Sequence, residues 1–261
     1  MEEKLEIIAK NTSPKTSMSL FVHSNKSKFT TNFNPPIQLS DKPHEMALLN
    51  LETYYSFPNI DTNNNNFNYS CLAGPGPNGS FDITLPTGCY SIKEINEAIQ
   101  KGLKKNGHDG VVEFSSNPIT LKTIMKFKAP ESGQHSYSVH FDHANTIGKT
   151  LGFNTNSYTN LTKTYYESEN IVDILRVNTI QVHTDIISSS YVNGKSEPMI
   201  YSFCPNADPG YKIVEKPYHP LYLPMYLKMV PSITTRLTDQ DGNELNLRGE
   251  RVTIRYHLRE I

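Results

Sequence analysis

Apolar and polar residues alternate at period two through much of this chain. In "ERVTIRYHL", residues 250–258, Val252, Ile254, Tyr256 and Leu258 fall on one side, and Arg251, Thr253, Arg255 and His257 on the other. That is the pattern of a strand with one buried and one wetted face. Short segments rich in β-branched and aromatic residues recur at "MSLFVHS", "EMALLNLETYY", "SFDITLP", "GVVEFSS", "ITLKTIMKFK", "SYSVHFD", "NTIQVHTDIISSSYV", "MIYSFCP", "YKIVEKP" and "SITTRLTD", with Pro, Gly and Asn clusters between them. Helical periodicity is scarce. It is clear only in "SIKEINEAIQKGLKK", where Ile92, Ile95, Ile99 and Leu103 share a face and Ser91 with Glu94 forms a capping-box signature. A second, shorter helix is expected over "HANTIGKTLGF", closing at Gly152.

Many short strands, one or two short helices and long loops predict an all-β fold, an antiparallel sandwich or barrel. "DTNNNNFNYSCLAGPGPNGS" reads as a mobile surface loop because it is too polar to pack, and "NTNSYTNLTKTYYESEN" as a second. No repeat and no shift of composition marks a boundary. The expected organisation is a flexible arm over 1–17 and one domain over 18–261.

Charge narrows the functional classes. With 25 Lys and Arg against 26 Asp and Glu, the chain lacks the basic footprint of a dedicated nucleic-acid binder. No apolar run is long enough to span a bilayer as a helix. Three cysteines, Cys71, Cys89 and Cys204, have no metal spacing and read as reduced thiols in an intracellular setting. Each apparent motif fails on its context. Asp239, Asp241, Asn243 and Glu250 match most of an EF-hand loop, but Glu244 stands where that loop needs glycine, and both flanks are strand-like. A tight hairpin turn at "QDGN", joining "SITTRLTD" to "ERVTIRYHL", explains the Asp-Gly pair. "GPGPNG" carries two prolines and leads into a strand rather than a helix, and "IGKT" has His143 in place of the leading glycine of a phosphate loop. His135 and His140 are five apart, so an extended segment points them to opposite faces, and only a turn would bring His140 to His143. No nucleophile signature is present. The sequence predicts no enzyme, no cofactor and no metal.

Five blocks in order carry a resemblance. They are "MSLFVHSNKSKFTTNFNPPIQLSDKPHEMALLNLETYYSFPNI", "ITLPTGCYSIKEINEAIQ", "TLGF", "NTIQVHTDIISSSYVNGKSEPMIYSF" and "YHPLYLPMYLKMVPSITTRLTDQDGNELNLRGERVTIRYHL". Together, over roughly Met18 to Leu258, the chain resembles the minor capsid, or penton, proteins of Maverick/Polinton elements and adintovirus-like viruses. One departure is His44, where the family often has tryptophan. The resemblance implies a single jelly roll of two four-stranded sheets. It also implies homopentamers at the fivefold vertices of an icosahedral shell, contact with a major capsid (hexon) protein, and residence in the virion. Nucleic acid would be touched at most weakly, through Lys122, Lys126 or Lys149, and no membrane is involved. For the interface the expectation falls on "PYHPLYLPMYLK", where Tyr218, Leu221, Tyr222, Leu223, Met225 and Tyr226 crowd between three prolines; the same segment also reads as a crossover packed on its own sheet. Other readings are a ligand- or carbohydrate-binding β-sandwich, a cupin-like metalloprotein, and a host-domesticated capsid gene.

Overall fold

The structure, a computed structural model, describes residues 16–72, 76–129, 135–187, 190–192 and 194–261. Residues 1–15, most of the expected arm, lie outside them, as do 73–75 within the expected Asn-rich loop. Two compact units result: one takes the chain up to Phe57 and from Val177 to Ile261, the other Pro58–Arg176.

The chain enters through β1 (Ser17–Ser24), β2 (Lys28–Gln38) and β3 (His44–Tyr54). The second unit follows, with β4 (Asn66–Leu72), β5 (Gly79–Thr84), helix α1 (Ile92–Lys105), β6 (Val112–Asn117), β7 (Lys122–Phe127), β8 (Ser136–His140), β9 (Ser157–Thr159) and β10 (Tyr165–Glu167). The first unit then resumes with β11 (Ile180–Thr184), β12 (Tyr191–Val192), β13 (Lys195–Ser196), β14 (Met199–Phe203), β15 (Lys212–Glu215), β16 (Leu223–Met225), β17 (Met229–Thr238) and β18 (Val252–Glu260).

The first unit has two antiparallel sheets, ordered β1-β18-β3-β15 and β14-β11-β17-β2, with β16 added along β3. Followed along the chain, the eight main strands pass back and forth between the sheets, which is the winding of a jelly roll. The expected fold class is therefore observed. Its core takes Val22, Met46, Leu51, Ile254, Tyr256 and Leu258 from one sheet, and Val182, Ile200, Ile233 and Leu237 from the other. The alternation in β18 does this work: Val252, Ile254, Tyr256 and Leu258 are buried, and the residues between them are not. Across the core the Tyr256 hydroxyl and Thr235 Oγ1 are hydrogen-bonded at 3.0 Å. The "QDGN" turn forms, but the hairpin expected of its flanking strands does not. Gly242 takes a positive φ of 84°, and its N–H donates to the Asp239 carbonyl at 3.2 Å. The turn does not join paired strands, because β17 and β18 lie in opposite sheets.

β2 forms where the sequence pattern shows no strand. Phe29, Phe33 and Ile37 pack on the core, and its register against β17 breaks between Val230 and Ser232, opposite the two prolines. An edge strand with a bulge tolerates Pro, since one of its rows of N–H groups has no partner to lose.

The second unit has its own core around Phe67, Tyr69, Ile95, Phe114, Met125 and Phe141. Its sheets are β5-β4-β8-β9 and β10-β7-β6. The sequence places 18–261 in one jelly-roll domain; the strands of the roll come only from the segments on either side of 58–176, and the residues between them fold around a separate core.

Helix α1 forms as its periodicity predicts. The Ser91 Oγ accepts from the Glu94 N–H, the Glu94 carboxylate accepts from the Ser91 N–H, and Ile92, Ile95, Ile99 and Leu103 are buried. The Asn-rich stretch is a correction. Residues 66–72 are the strand between β5 and β8, with Phe67, Tyr69 and Cys71 buried. The asparagines before it bond to the protein: Asn64 Nδ2 donates to the Asn59 carbonyl and to Thr150 Oγ1, and Asn65 Nδ2 to the Leu85 carbonyl. The second polar loop likewise contains β9 and β10. The helix expected over 143–153 does not form; one turn closes through Ile147–Leu151 and Gly148–Phe153 bonds and stops at Gly152, whose φ is 81°. The Phe141 ring lies against Gly148, and Ile147 donates its N–H to Asn66, so the segment packs on the sheet edge.

Candidate assembly surface

The proline-rich segment splits into an anchored part and a free part. Met225 is buried in the roll's core, and Leu223 packs against it. Both belong to β16, which pairs with β3 at Leu223–Met46, Pro224–Glu45 and Met225–His44. The three prolines of the segment do not prevent this pairing. A three-residue strand at a sheet edge needs few N–H donors, so Pro224 fits there.

Tyr222 is held by the outer face of β18. Its hydroxyl and His257 Nδ1 are 2.7 Å apart, and Arg259 lies over its ring, with the guanidinium carbon 3.5 Å from the centroid. Arg259 also donates to the Glu45 carboxylate at 2.6 Å, and His257 Nε2 meets Ser17 Oγ at 2.8 Å. Burial, then the charges of Arg259 and Arg255, lower the pKa of His257, so the imidazole is neutral at pH 7 and bridges the two hydroxyls.

The remaining residues point away from the unit. Tyr218 is 92% exposed, Leu221 61% and Tyr226 74%. Of the six residues named from sequence, three therefore present apolar surface, and three serve the subunit's own packing. The structure adds two that sequence reasoning missed, Leu227 and Met229, both exposed. A signal existed in "LKMV": Val230 is buried, and alternation sends Met229 outward. On β1, Phe21 is also exposed, with Arg255 5.0 Å from its ring centroid.

The motifs set aside in the sequence resolve in bland ways. Asp239 Oδ1 accepts the N–H groups of Asp241 and Asn243, and Oδ2 accepts Asn243 Nδ2, so the loop's leading carboxylate is spent on its own turn. His140 meets Ser70 Oγ and Ser157 Oγ through its two nitrogens. Among the described residues no group of three His, Cys, Asp or Glu side chains is arranged to hold a metal, and no helix is long and apolar enough to cross a membrane.

No protein-family model matches the chain, and a search of curated proteins returns no match. Among solved structures the chain is similar to the mavirus penton protein, with a TM-score of 0.52 and 9% identity, over 94% of this chain and 100% of that one. That coverage exceeds either unit alone, so the likeness takes in both. The D2–D3 domains of the flagellar cap protein FliD from Escherichia coli align at 13% identity over 91% of this chain and 98% of that one, with a TM-score of 0.14, a value at which no fold is shared. The fold of this chain is a virus penton-like jelly roll.

Proposed function

We propose that this chain is a minor capsid protein of the penton type, from the Maverick/Polinton and adintovirus-like group. It would close fivefold vertices as a homopentamer and contact a major capsid protein within the virion. The observation that carries this reading is the eight-stranded jelly roll, matched to a penton protein over nearly the whole of both chains. A ring of five needs two different, complementary surfaces on each subunit. The exposed Tyr218, Leu221, Tyr226, Leu227 and Met229 supply the apolar anchors of one such surface. The task is shape and self-association, with no chemistry at a reacting centre. Light scattering on the purified chain tests the reading. A species of five times the 29.5 kDa protomer mass, or fivefold rings on co-expression with the major capsid protein of the same genome, supports it. A strict monomer at high concentration that gives no such rings overturns it.

A further inference from the structure

We infer that the outer face of the β14-β11-β17-β2 sheet carries a binding site for a small, neutral, hydroxyl-bearing ligand of the saccharide class, with His183 at its floor.

Along β11, Ile180 and Val182 face the core, so Gln181 and His183 face outward. An outward histidine on a bare sheet would be wet, yet the His183 side chain is only 5% exposed. The strand pair β12–β13 and the chain leaving it stand over it. Between them and the sheet lies a cavity of about 380 Å³, lined by Gln181, His183 and Arg236 from the sheet, by Val192, Lys195 and Glu197 from above, and on one side by the turn that carries the Asp241 carboxylate.

The hydrogen bonds fix what the floor offers. Thr238 Oγ1 donates to Gln181 Oε1 at 3.4 Å, so its oxygen is left to accept from His183 Nε2–H at 3.1 Å. Nδ1 then keeps a lone pair, and it has no hydrogen-bond partner. His108, His140 and His257, by contrast, each have both ring nitrogens engaged. Burial first, and the Arg236 charge second, lower the pKa of His183, against a smaller opposing effect of Glu197. The ring is therefore neutral, and Nδ1 is a buried acceptor with no partner within the protein.

The surroundings select the donor. Glu197 Oε2 is 4.0 Å from Nδ1, beyond hydrogen-bond reach, and 3.6 Å from the Arg236 guanidinium. An anion would meet the Nδ1 lone pair and the Glu197 and Asp241 carboxylates. An ammonium group or a metal ion would sit beside Arg236 and Lys195. A hydroxyl suits all four groups, because it donates to Nδ1 or Glu197 and accepts from Arg236 or Lys195. The cavity is open on one side, so water fills it when no ligand is bound. The volume lies at the small end of ligand sites, which start near 300 Å³. Several adjacent hydroxyls on one rigid ring match both the size and the mix of donors and acceptors.

The test is an imidazole ¹H–¹⁵N correlation experiment on the full chain. It is titrated in turn with the methyl glycosides of glucose, galactose, mannose and N-acetylglucosamine, and separately with sodium phosphate and methylamine. The expected result is a saturable movement of the His183 resonances with at least one glycoside and a weaker response, or none, to either ion. Lys195→Ala, at the exposed rim where folding is not at stake, should weaken that binding by about tenfold, the effect of one lost hydrogen bond to a charged group. Val192→Trp, which fills the mouth of the cavity and leaves the His183 reporter in place, should abolish it. No saturable response to any glycoside overturns the inference. So does a response to phosphate or methylamine as strong as that to the glycosides, and so does unchanged binding in Lys195→Ala. The readout is independent of oligomeric state, so the loss of the assembly reading would leave it standing.

Discussion

Tyr256 joins the two sheets of the roll through a side chain with no exposure at all. Its hydroxyl is shared with Thr235 Oγ1, and burial pushes its phenol well above the ordinary range. Tyr256→Phe keeps the ring but strands the threonine oxygen in the core, and should cost about 1–2 kcal/mol. Urea unfolding checks this as a lower midpoint at unchanged slope. At the end of the same strand Glu260 occupies an inward position. It accepts from Lys42 Nζ at 2.6 Å and Ser40 Oγ at 3.0 Å, and the Lys42 bond lowers its pKa first among the causes. A carboxyl whose folded pKa lies below its unfolded value stabilises fully above the unfolded value, and that contribution is lost as pH falls through the folded one. Stability should therefore drop on acidification below the ordinary glutamate range near 4.5. Glu260→Gln should flatten that part of the urea-midpoint profile against pH; an unchanged profile would deny the pair any role. The alternation of Val252 to Leu258 was legible because period two needs only neighbours. The buried Glu260 was not, because its partners are more than 200 positions away in sequence. His44 is legible only afterwards: it fills the place of the expected tryptophan, buried at the start of β3 with its Nδ1 2.8 Å from the Lys42 carbonyl.

Between elements, close approach decides the sign of a substitution. Propensity alone would make Gly102→Ala in α1 stabilising by up to about 1 kcal/mol. The added Cβ would instead lie 2.6 Å from the Ile83 side chain on β5, so the expected outcome is a loss of about 1–3 kcal/mol by thermal or urea unfolding. In the proline-rich segment two variants should separate packing from assembly. Met225→Ala removes a core side chain and should cost about 2–5 kcal/mol. Tyr218→Ser with Tyr226→Ser touches exposed rings, and should leave the melting of the dissociated subunit within about 0.5 kcal/mol while weakening association in light scattering. Equal association before and after would remove this surface from the interface. Elements with strong local pattern, α1 and β18 above all, were legible in the sequence. β2, β4 and β16 were not. Prolines mask the first and last, and an Asn run masks β4, whose inward Phe67, Tyr69 and Cys71 alternate with Asn68 and Ser70 and pair on both sides.

For the molecule as a whole, periodicity gave the class but not the strand order, since pairing across sheets is a property of distant segments. The seams at Phe57–Pro58 and Arg176–Val177 carry no mark in composition, so two cores look like one. The second unit has its own apolar cluster and a contiguous chain. Residues 58–176 expressed alone should give a cooperative thermal transition and a β-rich circular dichroism spectrum; a chain that stays unfolded would make this unit dependent on the roll.

The pairing of β1 with β18, Ser17 opposite Arg259, sets an order for biogenesis. β1 must wait for β18 to be translated before it finds its neighbour, whereas every strand between Asn66 and Glu167 finds its neighbour within that span. On a growing chain the inserted segment is thus free to settle early, while β1 stands unpaired until β18 is made. Any contact that needs the closed β1–β18 edge therefore waits until β18 has been made.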